Sequence, residues 1–241
     1  MLKIFIGYDP RQAMSYNVLS HSIISRAITV PVSISPIILS TVPMEREGGL
    51  TPFTFSRFLV PYLCNYKGWA LFLDADEIVL DDIANLFDLV DDRYGVMVSK
   101  NERHAFEWAS VMMFNNAKCS MLTPQYVEIA KRLHTIGWMP ESMIGDLPRE
   151  WNHLVGYDEP RSDAKLVHYT MGVPVWPETE MHEYAAEYRD EVRSTLEIES
   201  WLELMGPSVH AAPTVQMMVD RGVSTPDIDE WIAANNNAKV A

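Results

Sequence analysis

Two aspartates, Asp74 and Asp76, stand two residues apart at the end of the apolar run Ala70-Leu71-Phe72-Leu73. Residues two apart in an extended chain point the same way, so both carboxylates aim at one point just beyond a buried strand. Like charges at that spacing repel unless a cation lies between them. Oxygen ligands of this kind suit Mg2+ or Mn2+, and a histidine ligand tips the choice towards Mn2+. His168 ends another apolar run, Leu166-Val167-His168-Tyr169. Arg57, seventeen residues before Asp74 on the segment leading into the same strand, supplies a cation. Taken singly, the Asp-x-Asp reads as turn and cap chemistry, Arg57 as a solvated helix charge and His168 as a core histidine. Their conjunction points to metal-assisted chemistry.

These residues need elements to position them. Residues 2–6 read as a buried strand ending at Gly7. Asp9 then caps a helix with Pro10 in its first turn, and Tyr16, Leu19, Ile23 and Ala27 share one face. A second strand follows at about Val32 to Leu39. This β-α-β opening predicts a parallel sheet whose ligands lie beyond the carboxyl ends of the strands. Polar residues 40–52 predict a surface loop, and residues 54–66 a helix in which Pro61 makes a kink or a first turn. Strands are expected at 70–73, 94–99, 109–114 and 166–169. Apolar Ile78-Val79-Leu80 leads to a short helix capped by Asp81-Asp82, and another helix lies near 124–133. After about Met181 the pattern is helical: 182–192, 195–205, 214–220 and 227–234, broken by Pro207, Pro213 and Pro226. The organisation expected is an α/β body over 1–180 and a helical extension over 181–241.

The chain has 241 residues, of which 48% are hydrophobic and 22% charged, which excludes a disordered or fibrous protein. A formal charge of −14 is the wrong sign for a phosphate-backbone partner, so nucleic acid is not expected. An anionic small substrate must therefore meet local positive charge, from arginines or a metal. The most apolar stretch, Ala27 to Leu39, is too short for a membrane span, and the first residues lack a signal-peptide pattern. Two cysteines, Cys64 and Cys119, in no ligand spacing, fit a reducing cytoplasmic location.

Several segments together resemble one family. Ile4-Phe5-Ile6-Gly7-Tyr8-Asp9 is similar to its opening strand and turn, and Ser56-Arg57-Phe58 to its Ser-Arg helix. Leu73 to Phe87 matches a strand ending in Asp-x-Asp followed by a short Leu-Phe helix. His168 with Gly172, Pro174 and Trp176 is similar to its late histidine segment. The family is that of the glycogenin-like glycosyltransferases, family eight. Its GT-A fold is a mixed α/β, mostly parallel sheet flanked by helices that binds nucleotide-diphospho-sugars. The resemblance implies that Asp74, Asp76 and His168 hold a divalent cation, Mn2+ or Mg2+, on the diphosphate of a donor, usually a UDP-sugar. It implies that Arg57 contacts diphosphate or sugar, that Gly7, Tyr8 and Asp9 line the base and ribose pocket, and that Ala75, Ser110 and Gly172 touch the donor. The activity implied is transfer of a hexose to an acceptor hydroxyl, with retention.

The sequence also departs from the family. A lysine shortly before the late Pro-Trp is replaced in Val173-Pro174-Val175-Trp176, which leaves Arg11, Lys100 or Arg161 to supply a diphosphate cation. The sugar-binding strand survives only as the segment from Trp108 to Asn115, and Glu141 and Asp146 stand in for an Asp-Gln pair. Pro148-Arg149-Glu150-Trp151-Asn152 resembles a late family segment or is a loop anchored by a buried tryptophan. Two other functions are weighed: a nucleotide-sugar or glycan binder that has lost transfer, and a haloacid-dehalogenase-type phosphatase. The phosphatase motif sits on a first strand and continues to Thr, whereas Asp76 continues to Glu77-Ile78-Val79.

Overall fold

The computed structural model describes residues 1–46, 48–196 and 211–238, and the chain divides into two compact units, Met1–Glu191 and Val192–Ala241. Among the described residues the first unit holds nine strands: β1 (Leu2–Gly7), β2 (Val32–Ile37), β3 (Trp69–Leu73), β4 (Glu77–Val79), β5 (Val96–Val98), β6 (Val111–Asn115), β7 (Ile144–Asp146), β8 (His153–Leu154) and β9 (Leu166–His168). Six form a mixed, mostly parallel sheet in the order β2-β1-β3-β6-β5-β7. The pairs β1/β2, β1/β3 and β5/β7 are parallel, while β6 runs against both β3 and β5. The other three make a small sheet, β4-β9-β8.

The central strands are apolar throughout because both faces are covered. Residues 70–73 on β3 and 111–114 on β6 are fully buried. The opening follows the local rules: Asp9 accepts a hydrogen bond from the Arg11 N–H at 2.9 Å, capping a 3-10 turn before α1 (Ala13–Arg26). Buried Leu19 and Ile23 of α1 join the core of the sheet, and the Ser22 hydroxyl accepts from the Val79 N–H at 3.0 Å, fixing β4 to α1. Gly7 is glycine for a packing reason: a Cβ there would lie 2.3 Å from the Phe53 ring.

Residues 54–66 do not form one helix. A 3-10 turn, Ser56–Leu59, precedes a single turn, α2 (Val60–Leu63). Pro61 sits in the first turn of α2, where its missing N–H is harmless but its ring bars an α-helical bond back to residue 57. Asn65 and Tyr66, at φ 50° and 55°, end the element. The tight turn buries Ser56, Arg57, Phe58 and Leu59 together, so Arg57 is an interior residue and not a solvated helix charge.

Downstream come α3 (Ala84–Phe87), whose Ala84 N–H is held by Asp82, and α4 (Pro124–Ile129), capped by Thr123. The latter ends before residue 133 because Ala130 is already extended, at ψ 141°. Short β7 and β8 lie where no strand is expected from the sequence. Tyr188 on α5 (Ala185–Leu196) is buried edge-on against Tyr169, a packing role. In the second unit, α6 (Ala212–Asp220) and α7 (Pro226–Ala238) contribute Val215, Ile228 and Trp231 to a small apolar cluster. The helix expected at 195–205 falls, beyond Leu196, outside the described residues. Among the described residues no helix is long and apolar enough to cross a membrane.

Candidate functional site

The chain leaves β3 at Leu73 and turns through Asp74-Ala75-Asp76 into β4, which pairs antiparallel with β9 so that Glu77 faces His168. Backbone bonds fix both sides of the turn: the Asp74 N–H donates to the Ser110 carbonyl, and the Tyr169 N–H to the Asp76 carbonyl. One ligand atom each from Asp74, Asp76 and His168 then lie within 4.8 Å of one another. His168 Nε2 stands 3.5 Å from Asp76 Oδ1. Asp74 and His168 are buried and Asp76 is half-buried, so the group opens to solvent on the Asp76 side.

Arg57 comes to Asp74 from behind. Its Nη1 donates to Asp74 Oδ2 at 3.0 Å and to the Ala109 carbonyl at 2.9 Å. It also lies 2.9 Å from Asp74 Oδ1, but without hydrogen-bond geometry, so that oxygen is buried with no donor. Phe53 and Phe72 flank the guanidinium at 5.3 and 5.1 Å. Glu77, fully buried, has no hydrogen-bond partner on either carboxyl oxygen, and its Oε1 lies 4.0 Å from His168 Nδ1.

Charge in this cluster is unbalanced. Burial lifts the Asp74 carboxyl to about 6 despite Arg57, with the charge on Asp76 adding to the rise. Burial, with Asp74 and Asp76 nearby, raises Glu77 well above the ordinary carboxylate range. For Asp76, burial is outweighed by His168, and its carboxyl is held low. For His168, burial opposes protonation, but Asp76 and then Asp74 and Glu107 more than offset it, and its pKa is raised. Three acids and one imidazole with a single guanidinium among them form a donor set that a divalent cation would neutralise. The undonated Asp74 oxygen and the mixed O/N ligands fit Mg2+ or Mn2+.

Sequence reasoning missed Glu77. Its one signal is an acid heading the apolar Ile78-Val79-Leu80. Glu77 lies 4.0 Å behind His168 Nδ1, where an outer carboxylate would orient the imidazole were His168 to hold a metal. Replacing it with methionine removes an unpartnered buried carboxyl, so the metal-free Glu77→Met protein should melt higher than the parent. Its affinity for Mn2+ should fall by about 10–100-fold, by calorimetric titration. An unchanged affinity would mean that Glu77 plays no part in holding the histidine.

The remaining predicted residues divide. Tyr8 lines a cavity of about 640 Å3 at the carboxyl ends of β1 and β2, with Pro10, Leu39, Met44 and Pro52. Ser40, Met44, Glu45 and Pro52, in the stretch expected as a surface loop, thus help to wall it. Gly7 is packed beneath Phe53, and Asp9 is buried, its carboxylate chelating Arg11 and so held below the usual range. Ala75 is buried; Ser110 is also interior, its hydroxyl donating to the Glu107 carbonyl and accepting from Asn152. Gly172, at φ +99°, makes the turn after β9 with its N–H on the Tyr169 carbonyl. The three substitute cations are all engaged: Arg11 with Asp9, Lys100 with the Ile144 carbonyl and Arg161 with Asp163. Asp146 ends β7, exposed, on the Lys100 N–H. Trp151 is buried, and Asn152 ties it to Ser110 and Glu107.

No protein-family model matches the chain. Among solved structures, the bifunctional glycosyltransferase WbbM in its apo form superposes with a TM-score of 0.64 at 16% identity. That match covers 84% of this chain, which spans only half the length of WbbM. The galactosyltransferase LgtC, in complex with donor and acceptor sugar analogues, gives a TM-score of 0.58 at 11% identity, covering 83% of this chain and 99% of that one. The fold is therefore the GT-A glycosyltransferase fold. In sequence, Protein CDI of Arabidopsis thaliana is 35% identical over 232 residues, covering 78% of this chain and 89% of that protein. An identity of that size over most of both proteins places the chain in the family of Protein CDI.

Proposed function

We propose that the chain is a glycosyltransferase that uses a divalent cation, Mn2+ or Mg2+, to move a hexose from a nucleotide-diphospho-sugar to an acceptor hydroxyl. The donor is a UDP-sugar, transfer retains configuration, and the relationship is to the glycogenin-like family eight. The observation that carries this reading is the approach of Asp74, Asp76 and His168 to a common point at the rim of the sheet. The fold shared with WbbM and LgtC supports it.

A bound divalent cation supplies Lewis-acid stabilisation of the charge that grows on the departing diphosphate. The chain's own residues do the positioning. Tyr8 and the walls of its cavity take base and ribose, backed by Gly7 and by Asp9 with its bound Arg11. Arg57 fixes the Asp74 carboxylate and adds positive charge, which a protein of charge −14 needs beside an anionic donor. Ala75 spaces the two aspartates, Ser110 holds the Asp74 N–H through its carbonyl, and Gly172 turns the chain away beyond His168. Two free, buried cysteines support a cytoplasmic location.

The test is release of UDP from a panel of UDP-hexoses with Mn2+ and again with a chelator. Release that needs the metal is the expected result. No release from any donor, with no metal-dependent binding of UDP, would overturn the reading. The engagement of Arg11, Lys100 and Arg161 by protein partners favours one alternative, a nucleotide-sugar binder without transfer. Calorimetry separates the two, since a binder takes up UDP with Mn2+ but never turns over.

A further inference from the structure

A second cavity, of about 690 Å3, shares no lining residue with the cavity at Tyr8. Its walls include Phe55, Phe106, Trp108 and His134, with Arg46, Arg132 and Glu141 as polar lining. His134 is 9% exposed, and its Nε2 is buried without a hydrogen-bond partner. Three rings clamp the imidazole: Phe106 stacks on it at 4.3 Å and 9°, while Phe55 and Phe58 meet it edge-on at 6.0 and 5.3 Å. A buried polar atom left unpaired is destabilising, and in a native protein it calls for an explanation.

The loop that carries His134 is held in unusual conformations. Arg132 and Ile136 have φ of 59° and 53°, a region β-branched residues avoid. Bonds inside the loop, from the Gly137 N–H to the Arg132 carbonyl and from Trp138 Nε1 to the Leu133 carbonyl, hold it there. Strain of this kind collects where geometry serves a ligand. The cavity also adjoins the metal centre through shared elements. Phe55 and Phe58 flank Arg57, whose guanidinium holds Asp74, and Trp108 precedes Ala109, whose carbonyl holds the same guanidinium.

The charge state of His134 follows from its surroundings. Burial, and then the positive charges of Arg57 and Arg46, push its pKa down to about 3, against a backbone hydrogen bond to Thr54 that works the other way. The ring is therefore neutral near pH 7. Nε2 is the buried ring nitrogen left without a partner. A hydroxyl, which both donates and accepts, can pair with it in either tautomer, and the apolar walls admit a flat face beside it. A pyranose ring offers both, a C–H face for the aromatic rings and several hydroxyls for His134, Arg46, Arg132 and Glu141.

We propose that this cavity binds the acceptor as a pyranoside, one of whose hydroxyls pairs with His134 Nε2. The assignment rests on the transferase reading for the word acceptor, but binding of the sugar can be measured without turnover. The probes are methyl pyranosides of the common hexoses and, as a second arm, simple phenols, titrated by ligand-observed NMR with and without Mn2+ and UDP. At least one pyranoside should bind, and His134→Phe should weaken it about tenfold or more. Phe106→Ala, at a half-exposed position, should weaken it too.

Folding of His134→Phe is checked by melting at two pH values. The unfolded imidazole takes up a proton below about 6.5 and the folded one resists until about 3, so wild-type stability is lost as pH falls through that window. The phenylalanine variant should escape this loss, so its melting temperature relative to the parent should rise on acidification. Absence of binding by every pyranoside, binding by phenols alone, or equal affinity of parent and both variants would overturn the proposal. Failure of the transferase reading would show separately, as no UDP release from the parent protein.

Discussion

Replacing Asp76 with alanine should abolish metal-dependent release of UDP from UDP-sugars while leaving the fold intact. Asp76 is half-buried, its carboxylate faces His168 at 3.5 Å, and the structural bond at this position is made by its backbone carbonyl, which the substitution keeps. Stability should therefore change by no more than about 1 kcal/mol. The effect on the site is larger. His168 loses the charge that raises its pKa, and a cation held by Asp74, Asp76 and His168 would lose one of three protein ligands. Stabilisation of leaving-group charge is worth several kcal/mol, so turnover should drop by about 1000-fold or more. Asp76→Asn, which keeps the shape, should behave likewise. Turnover of either variant at near parental rate, independent of metal, would refute the role given to this carboxylate.

The second large effect is on stability. Arg57 is the counter-charge of Asp74, and both are interior. Removing one member of such a pair strands a buried charge, which costs about 3–5 kcal/mol. At a pH well above 6, where Asp74 is ionised, metal-free Arg57→Met should therefore melt about ten degrees lower than the parent. The double variant Arg57→Met/Asp74→Asn should regain part of that loss, because no lone charge remains. Saturating Mn2+ should also stabilise the single variant, the cation taking over from the guanidinium. A shift of only a degree or two, unaffected by the second substitution, would show that the pair is not structural.

The parts of this site legible in the sequence are those set by strand periodicity. Two carboxylates at the end of Ala70-Leu71-Phe72-Leu73 must project together beyond the sheet, and an apolar run ending at His168 can deliver an imidazole to the same rim. Arg57 was legible by type but not by environment. A thirteen-residue helix would have left it near solvent, whereas Pro61 forces a tighter turn that drives it inside. Glu77 and His134 carried almost no signal. One owes its burial to the pairing of β4 with β9, and the other to a loop whose conformation comes from contacts remote in sequence. Short β7 and β8 were hidden for the same reason, because two or three residues are too few to show a period. Asp9 read correctly as a cap, but its grip on Arg11 depends on side-chain geometry that residue types do not specify.

The central claim is that Asp74, Asp76 and His168 together hold one divalent cation. Anomalous diffraction from crystals grown with Mn2+ tests it most directly. A single strong peak within coordination distance of both carboxylates and the imidazole is the result expected. With Mn2+ in excess, no peak at that position, or one bound by the aspartates with His168 turned away, would contradict it.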